Sequence, residues 1–238
     1  MGRGRSKGGK GGGNSEGTFV SFPDKAISGW EYSGDGADQE AFFLANSNND
    51  DLINQMTYEE TGVFKEWGSG HFMGGQQYLG WDNMSDDDKE RTAVMDKYMD
   101  QFVLNEGVKL ARLSDAQLVL GAGHKKATLA ELQAMEGKTV TSKGAMSFGA
   151  AAEGLTIGDS RKNVEYKLSI PGGSKGSGMW VGDRRINYWG SKQREFATNR
   201  DIAIKVGKTT YNKNRNVYEV ELTFVGRTKH DYGKAGKP

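Results

Sequence analysis

The sequence predicts an α+β fold, and three observations predict it. Helix-capping signals and helical spacing of apolar residues dominate up to Gly137, strict two-residue alternation dominates from Lys138 onward, and strands and helices do not alternate as a doubly wound parallel sheet requires. At 238 residues, with 35% hydrophobic and 26% charged residues, the chain is long enough for one well-buried domain with appendages.

Residues 1–17 are almost only Gly, Arg, Lys, Ser and Asn, a composition that buries too little apolar surface to offset the entropy of ordering, so a flexible tail is expected there. Its Arg3, Arg5, Lys7 and Lys10 are suited to phosphate, which makes nucleic acid a partner to consider through the tail. Residues 18–50 form an N-terminal extension in which Phe42-Phe43-Leu44 suggests a helix docked on the core, residues 51–228 the main domain, and residues 229–238 a C-terminal tail.

Within the main domain each element has a local cause. Thr57-x-x-Glu60 is a capping box, and Val63, Phe64 and Trp67 follow at helical spacing. Ser85 with Asp86, Asp87 and Asp88 starts a longer helix, because carboxylates suit the positive end of the helix dipole; Met95, Tyr98, Met99 and Phe102 are its core stripe. Val108 to Leu113 reads as a buried strand. Thr128-x-x-Glu131 opens a short helix through Leu129, Leu132 and Met135 that stops at Gly137. Beyond it Lys138 to Ser142 is extended, Val164, Tyr166, Leu168 and Ile170 alternate with polar residues, and so do Ile202, Ile204 and Val206, then Tyr218, Val220, Leu222 and Phe224.

Several chemistries are set aside on the same footing. A net charge of +1 gives no global argument for nucleic-acid or membrane binding. No apolar run is long enough to span a bilayer, and none follows the basic N-terminus as a signal peptide would require. Without cysteine there is no disulfide, thiolate nucleophile or cysteine-ligated metal, which fits a reducing cytosol. His71, His124 and His230 have no zinc-ligand spacing, so no metal is expected. Gly137-Lys138-Thr139 and Gly207-Lys208-Thr209 imitate the end of a P-loop, but Leu132 and Ile202 stand where its first glycine belongs. The turn Gly172-Gly173-Ser174-Lys175-Gly176 is read as a turn between strands.

The most informative stretch is Gln193-Arg194-Glu195, after the aromatic loop Ile186-Asn187-Tyr188-Trp189-Gly190-Ser191. On an extended chain positions 193 and 195 share a face, which sets an amide beside a carboxylate. Upstream lie Arg112, near the end of its strand, and Ser147, read at the turn of Gly144-Ala145-Met146-Ser147-Phe148-Gly149. In this order and spacing, over about residues 50 to 225, the chain resembles the Arg-Ser-Glu class of mono-ADP-ribosyltransferases, which includes C3-like toxins and phage-encoded transferases.

The resemblance implies a helical N-terminal part packed on a split two-sheet β core, with NAD as co-substrate in the cleft between the sheets. It implies that Glu195 stabilises the cationic ribose formed as nicotinamide leaves, that Ser147 holds Glu195, and that Arg112 grips the dinucleotide. Gln193 orients the acceptor, and glutamine there goes with the non-arginine branch, so a protein side chain other than arginine is the expected target. Tyr188 and Trp189 are its target-contacting aromatics. The Ser-Thr-Ser of the family is Ser147-Phe148-Gly149 here, and Phe148 is given a place against nicotinamide. The expected setting is the cytosol of a host or target cell, with a virion as the alternative; the alternative functions are an NAD glycohydrolase and a transferase-like binding module of a phage particle.

Overall fold

The computed structural model describes residues 19–23, 36–70, 81–156 and 162–232. The tail at 1–17, His71 and the end of the C-terminal tail lie outside the described residues. The helices are α1 (Ala37–Asn46), α2 (Asn49–Asn54), α3 (Tyr58–Gly68), α4 (Asp86–Met99) and two short ones among the strands, α5 (Gln117–Leu120) and α6 (Leu129–Gln133). The strands are β1 (Phe19–Val20), β2 (Val103–Leu104), β3 (Gly107–Ser114), β4 (Thr139–Ser142), β5 (Met146–Gly149), β6 (Leu155–Thr156), β7 (Val164–Ile170), β8 (Ser174–Lys175), β9 (Gly178–Trp180), β10 (Glu195–Thr198), β11 (Ile202–Asn212) and β12 (Val217–Arg227).

Caps set the helix starts. The Thr57 hydroxyl accepts from the Glu60 amide at 3.2 Å and the Glu60 carboxylate accepts from the Thr57 amide at 2.8 Å, so two orphan donors at the start of α3 are satisfied. Thr128 and Glu131 repeat the arrangement on α6, and Ser85 accepts from the Asp88 amide on α4. The apolar stripes of α3 and α4 are buried, with Phe64 edge-on to Tyr98 at 6.3 Å.

The main sheet runs β4-β11-β12-β7-β3-β5-β10-β9, with β1 and β6 both parallel to β3, and β2 pairs separately with β8. It is split in practice. The half from β4 to β3 and the half from β5 to β9 meet at a single residue pair, Ala111 with Gly149. The alternating residues Val164, Tyr166, Leu168 and Ile170 of β7, with Val220 and Leu222 of β12 and Ile202, Ile204 and Val206 of β11, are buried, as their period of two requires.

The small half is covered by α1. Phe148 and Trp180 are the register partners of Phe196, so the three share one face, and Phe43 stacks there on Trp180 at 4.7 Å and on Phe196 at 5.5 Å. The edge of β9 is closed by a side chain: the Asn49 amide donates to the Trp180 carbonyl and accepts from its N–H, both at 3.1 Å, as a neighbouring strand would.

The glycine-containing sequences are explained by the backbone: Gly137 is left-handed at φ 81° after α6, and its amide donates to the Val206 carbonyl at 2.8 Å. Gly207 and Lys208 lie in the irregularity where the β11–β12 register shifts between Val206 and Thr209. In the glycine turn, the Gly173 amide donates to Leu104 and the Gly176 amide to Phe102, so those donors are committed to the β2–β8 join.

Candidate active site

Three strands bring the predicted residues together. Arg112 lies near the end of β3, Ser147 in the middle of β5 and Glu195 at the first position of β10. β5 and β10 are antiparallel, with Glu195 opposite Gly149 and Ala197 opposite Ser147, so Ser147 and Glu195 share a face. The Arg112 guanidinium reaches across and donates to the Ser147 main-chain carbonyl at 2.6 Å. All three are enclosed: Arg112 is 5% exposed, Ser147 0% and Glu195 3%.

Burial is the largest influence on Glu195 and pushes its carboxyl above the usual carboxylate range, against the lowering pull of the Ser147 hydroxyl, the Arg112 charge and the Asn187 amide. A buried carboxylate held beside a fixed cation is a costly arrangement for stability alone, and such sites concentrate where chemistry is done. Near it, Ser147 Oγ and Asn187 Nδ2 are buried and complete no hydrogen bond within the protein, and Gln193 Oε1, in the turn before Glu195, is likewise buried and unsatisfied. Ser147 and Asn187 approach the carboxylate without closing a full hydrogen bond. Unsatisfied polar atoms of this kind are rare in protein interiors, and two of them beside one buried carboxylate suit a ligand rich in hydrogen-bonding groups.

The sequence expectations need three corrections in geometry. Residues 193–195 are not extended. Gln193 ends a 3-10 turn, Gly190–Gln193, and Arg194 is left-handed at φ 51°, so Gln193 is set by the turn and not by strand alternation with Glu195. Ser147 is a strand residue and not a turn residue. Phe148, the neighbour of Ser147 in β5, points to the opposite face and is fully buried with Phe196 in the hydrophobic core, which removes it from any nicotinamide contact.

The loop before Glu195 places the aromatics outward, with Tyr188 67% and Trp189 36% exposed. Its fixed point is Arg185, which binds Asp183 through Nε at 3.0 Å and Nη2 at 2.7 Å, Asn54 at 2.7 Å and Asp50 at 2.5 Å. Asn187 then turns the loop, its carbonyl oxygen Oδ1 accepting from the Trp189 amide at 2.9 Å. Between this loop and α3 is a cavity of about 460 Å³ lined by Lys65, Arg184, Asn187, Tyr188, Trp189 and Lys192. Sequence reasoning passes over Asn187, Lys65, Arg184 and Lys192: asparagine is an ordinary turn residue, and Lys65 reaches the loop from a helix far away in the chain.

No family model and no curated protein matches the sequence. Solved structures match in fold. Plx2a, an ADP-ribosyltransferase toxin from Paenibacillus larvae, superposes with a TM-score of 0.65 at 16% identity over 87% of this chain and 100% of its own. The Clostridium limosum C3 exoenzyme gives a TM-score of 0.61 at 13% identity, covering 87% and 98%. C3stau2 from S. aureus, solved with NAD, gives 0.58 at 12% identity, covering 86% and 100%. Split sheet, leading helices and the order of strands thus make this chain a protein of the C3-type ADP-ribosyltransferase fold.

Proposed function

We propose that the protein is an NAD-dependent mono-ADP-ribosyltransferase that breaks the nicotinamide–ribose bond and passes ADP-ribose to a non-arginine acceptor on a macromolecule. The observation that carries this reading is the meeting of Arg112, Ser147 and Glu195 from three strands, with a carboxyl raised by burial and unsatisfied polar atoms around it.

Heterolysis of the nicotinamide–ribose bond leaves positive charge on the ribose. A fixed carboxylate lowers that barrier because it is already oriented where the charge develops. Glu195 fills this role in its ionised form, and its place at the first residue of β10 holds it still. Ser147 limits its rotation. Arg112 braces β5 by the bond to the Ser147 carbonyl and sets a positive charge near Glu195, and the resemblance gives it the grip on the dinucleotide. With Glu195 almost enclosed, substrate reaches it only when the loop 181–194 swings aside, and the same loop carries Gln193, Tyr188 and Trp189 toward the acceptor. The catalytic domain is assigned to residues 51–228, acting in a host or target-cell cytosol.

Release of nicotinamide from NAD, measured with and without candidate macromolecules, tests the reading. Transfer of ADP-ribose to a macromolecule supports it. Release with ADP-ribose left free in solution identifies a glycohydrolase, and no release at all leaves a transferase-like binding module.

A further inference from the structure

Among the described residues Glu165, on β7, is the least exposed charged residue, at 0%. Its Oε1 accepts from the Gly154 amide at 2.5 Å, and its Oε2 meets Lys167 at 3.0 Å and Arg215 of the β11–β12 turn. Burial raises its carboxyl, but Arg215, the Gly154 amide and Lys167 outweigh that and leave the group below the usual carboxylate range. Glu165 is therefore an anion in the interior. Enclosed ion pairs of this kind add little to stability over apolar residues of the same volume, so the use of this one is sought in the conformation it fixes.

What Glu165 holds is residues 150–156, the chain that leaves β5 after Gly149. The Gly154 main chain lies directly on that of Arg112: a Cβ on Gly154 would stand 2.2 Å from the Leu113 nitrogen and 2.3 Å from the Arg112 carbonyl carbon. β6 then runs parallel to β3, with Leu155 at Arg112 and Thr156 at Leu113. Lys167 adds a second tie by donating to the Ala152 carbonyl. At the other end of the segment the Ala150 amide donates to the Arg194 carbonyl at 2.8 Å, and the Gln39 amide donates to the Ala150 carbonyl at 3.3 Å. One segment thus joins the main chain of Arg112 to the residue before Glu195. Glu165 and Arg112 are themselves on opposite faces of the sheet, because Tyr166 is the register partner of Arg112 and Glu165 that of Leu113.

We propose that Glu165 is a positioning residue for the active site: by clamping residues 150–156 onto β3 it sets where Arg112 stands, and with it the bond from Arg112 to the Ser147 carbonyl. This role rests on the transferase reading for the ligand that Arg112 grips, but the clamp itself does not. Arg215 carries the clamp to the β11–β12 turn, and Glu153 at 3.7 Å and Glu219 at 3.9 Å help to keep its guanidinium in place. A charge pair that only stiffens the fold would act independently of Arg112. A clamp acts through it.

The test is a double-mutant cycle on the full chain with Glu165→Leu, which fills the same space without an acceptor, Arg112→Lys, and both together. Urea midpoints are read without NAD, NAD affinity by calorimetry and the Gly154 amide by hydrogen exchange. Glu165→Leu is expected to release the Gly154 amide to exchange and to weaken NAD binding at least about tenfold, the size of coupling seen within one contact network. Thr128→Ala, which removes the cap of α6, lowers stability as a control and should keep wild-type NAD affinity. With Glu165→Leu already present, Arg112→Lys should lower the urea midpoint and NAD affinity by much less than it does alone. Losses that combine to within about twofold of independent effects would overturn the proposal. So would a Gly154 amide that stays protected in Glu165→Leu, or an NAD affinity that does not change when that amide is released. If Glu165→Leu does not fold, Gly154→Ala replaces it in the cycle, since its Cβ lifts the same segment with the charges intact, and unchanged NAD affinity there overturns the proposal as well. A wild-type protein that binds no NAD counts against the transferase reading alone, because the urea cycle and the amide exchange decide the clamp without the ligand.

Discussion

Arg112 and Ser147 are joined through the main chain: the guanidinium donates to the Ser147 carbonyl at 2.6 Å, next to the single Ala111–Gly149 pair where the two halves of the sheet meet. One arginine therefore both braces the seam between the half-sheets and sets a positive charge near Glu195.

Arg112→Lys is expected to separate these roles from that of a surface ion pair. Lysine keeps the charge but loses the planar fork, and a buried hydrogen bond to a charged group is worth about 1.5–3 kcal/mol. Urea denaturation should show a loss of that order, and calorimetry should show weaker NAD binding. Unchanged stability and unchanged affinity together would remove Arg112 from both roles.

Glu195→Gln is expected to raise stability while abolishing turnover. Because burial raises the Glu195 carboxyl, the folded state favours its protonated form, and the ionised form costs stability increasingly as pH rises from about 4.5 through the folded value. Glutamine keeps the shape without the charge, so its melting temperature should exceed that of wild type at neutral pH, with the gap closing in acid. Nicotinamide release should fall by at least about a hundredfold, the scale of a lost electrostatic stabiliser. A variant that melts lower and retains more than half the activity would contradict the assignment.

His230 is expected to make stability fall in mild alkali. Burial disfavours its charged form, but hydrogen bonds to Asp100 at 2.8 Å and Asp201 at 3.3 Å, with the charge of Asp96 and against that of Arg200, raise it to about 9. Folding favours the imidazolium, so its contribution is complete below about pH 6.5 and is lost as pH rises through about 9, a change of at most about 3 kcal/mol. Denaturant midpoints of wild type should drop across that window, and those of His230→Gln should stay flatter.

Gly36→Ala is expected to disturb the turn that carries Gln193. A Cβ at position 36 would stand 1.9 Å from the Ser191 carbonyl oxygen and 2.6 Å from its carbon, and main chain cannot rotate away as a side chain can. The loss should be about 1–3 kcal/mol, the usual range for overpacking, and the emission of Trp189, beside that turn, should shift. Wild-type stability with unchanged emission would show that the contact is not held in solution.

Much of the fold was legible because its signals are local. Capping boxes act over three residues and strand alternation over two, so Thr57, Ser85, Thr128 and the β7 pattern spoke for themselves. The order of Arg112, Ser147 and Glu195 was legible as well. The short strands β9 and β10 were not, because their lengths are too small for a period and their pairing partners lie far along the chain.

The sequence by itself determined the class of fold, the helix starts, the long strands and which three residues meet. Tertiary structure alone decided how they meet. It turned Arg194 left-handed, so that Gln193 sits in a 3-10 turn instead of beside Glu195 on a strand, and it gave Phe148 to the core and Ser147 to the site. It also raised the Glu195 carboxyl and gathered Lys65 with Arg184 and Lys192 around one cavity. The reason is the range of the forces involved: hydrogen-bonded caps and alternation are written within a few residues, whereas burial, desolvation and the meeting of like charges depend on surfaces that exist only once the two half-sheets and their helices have packed.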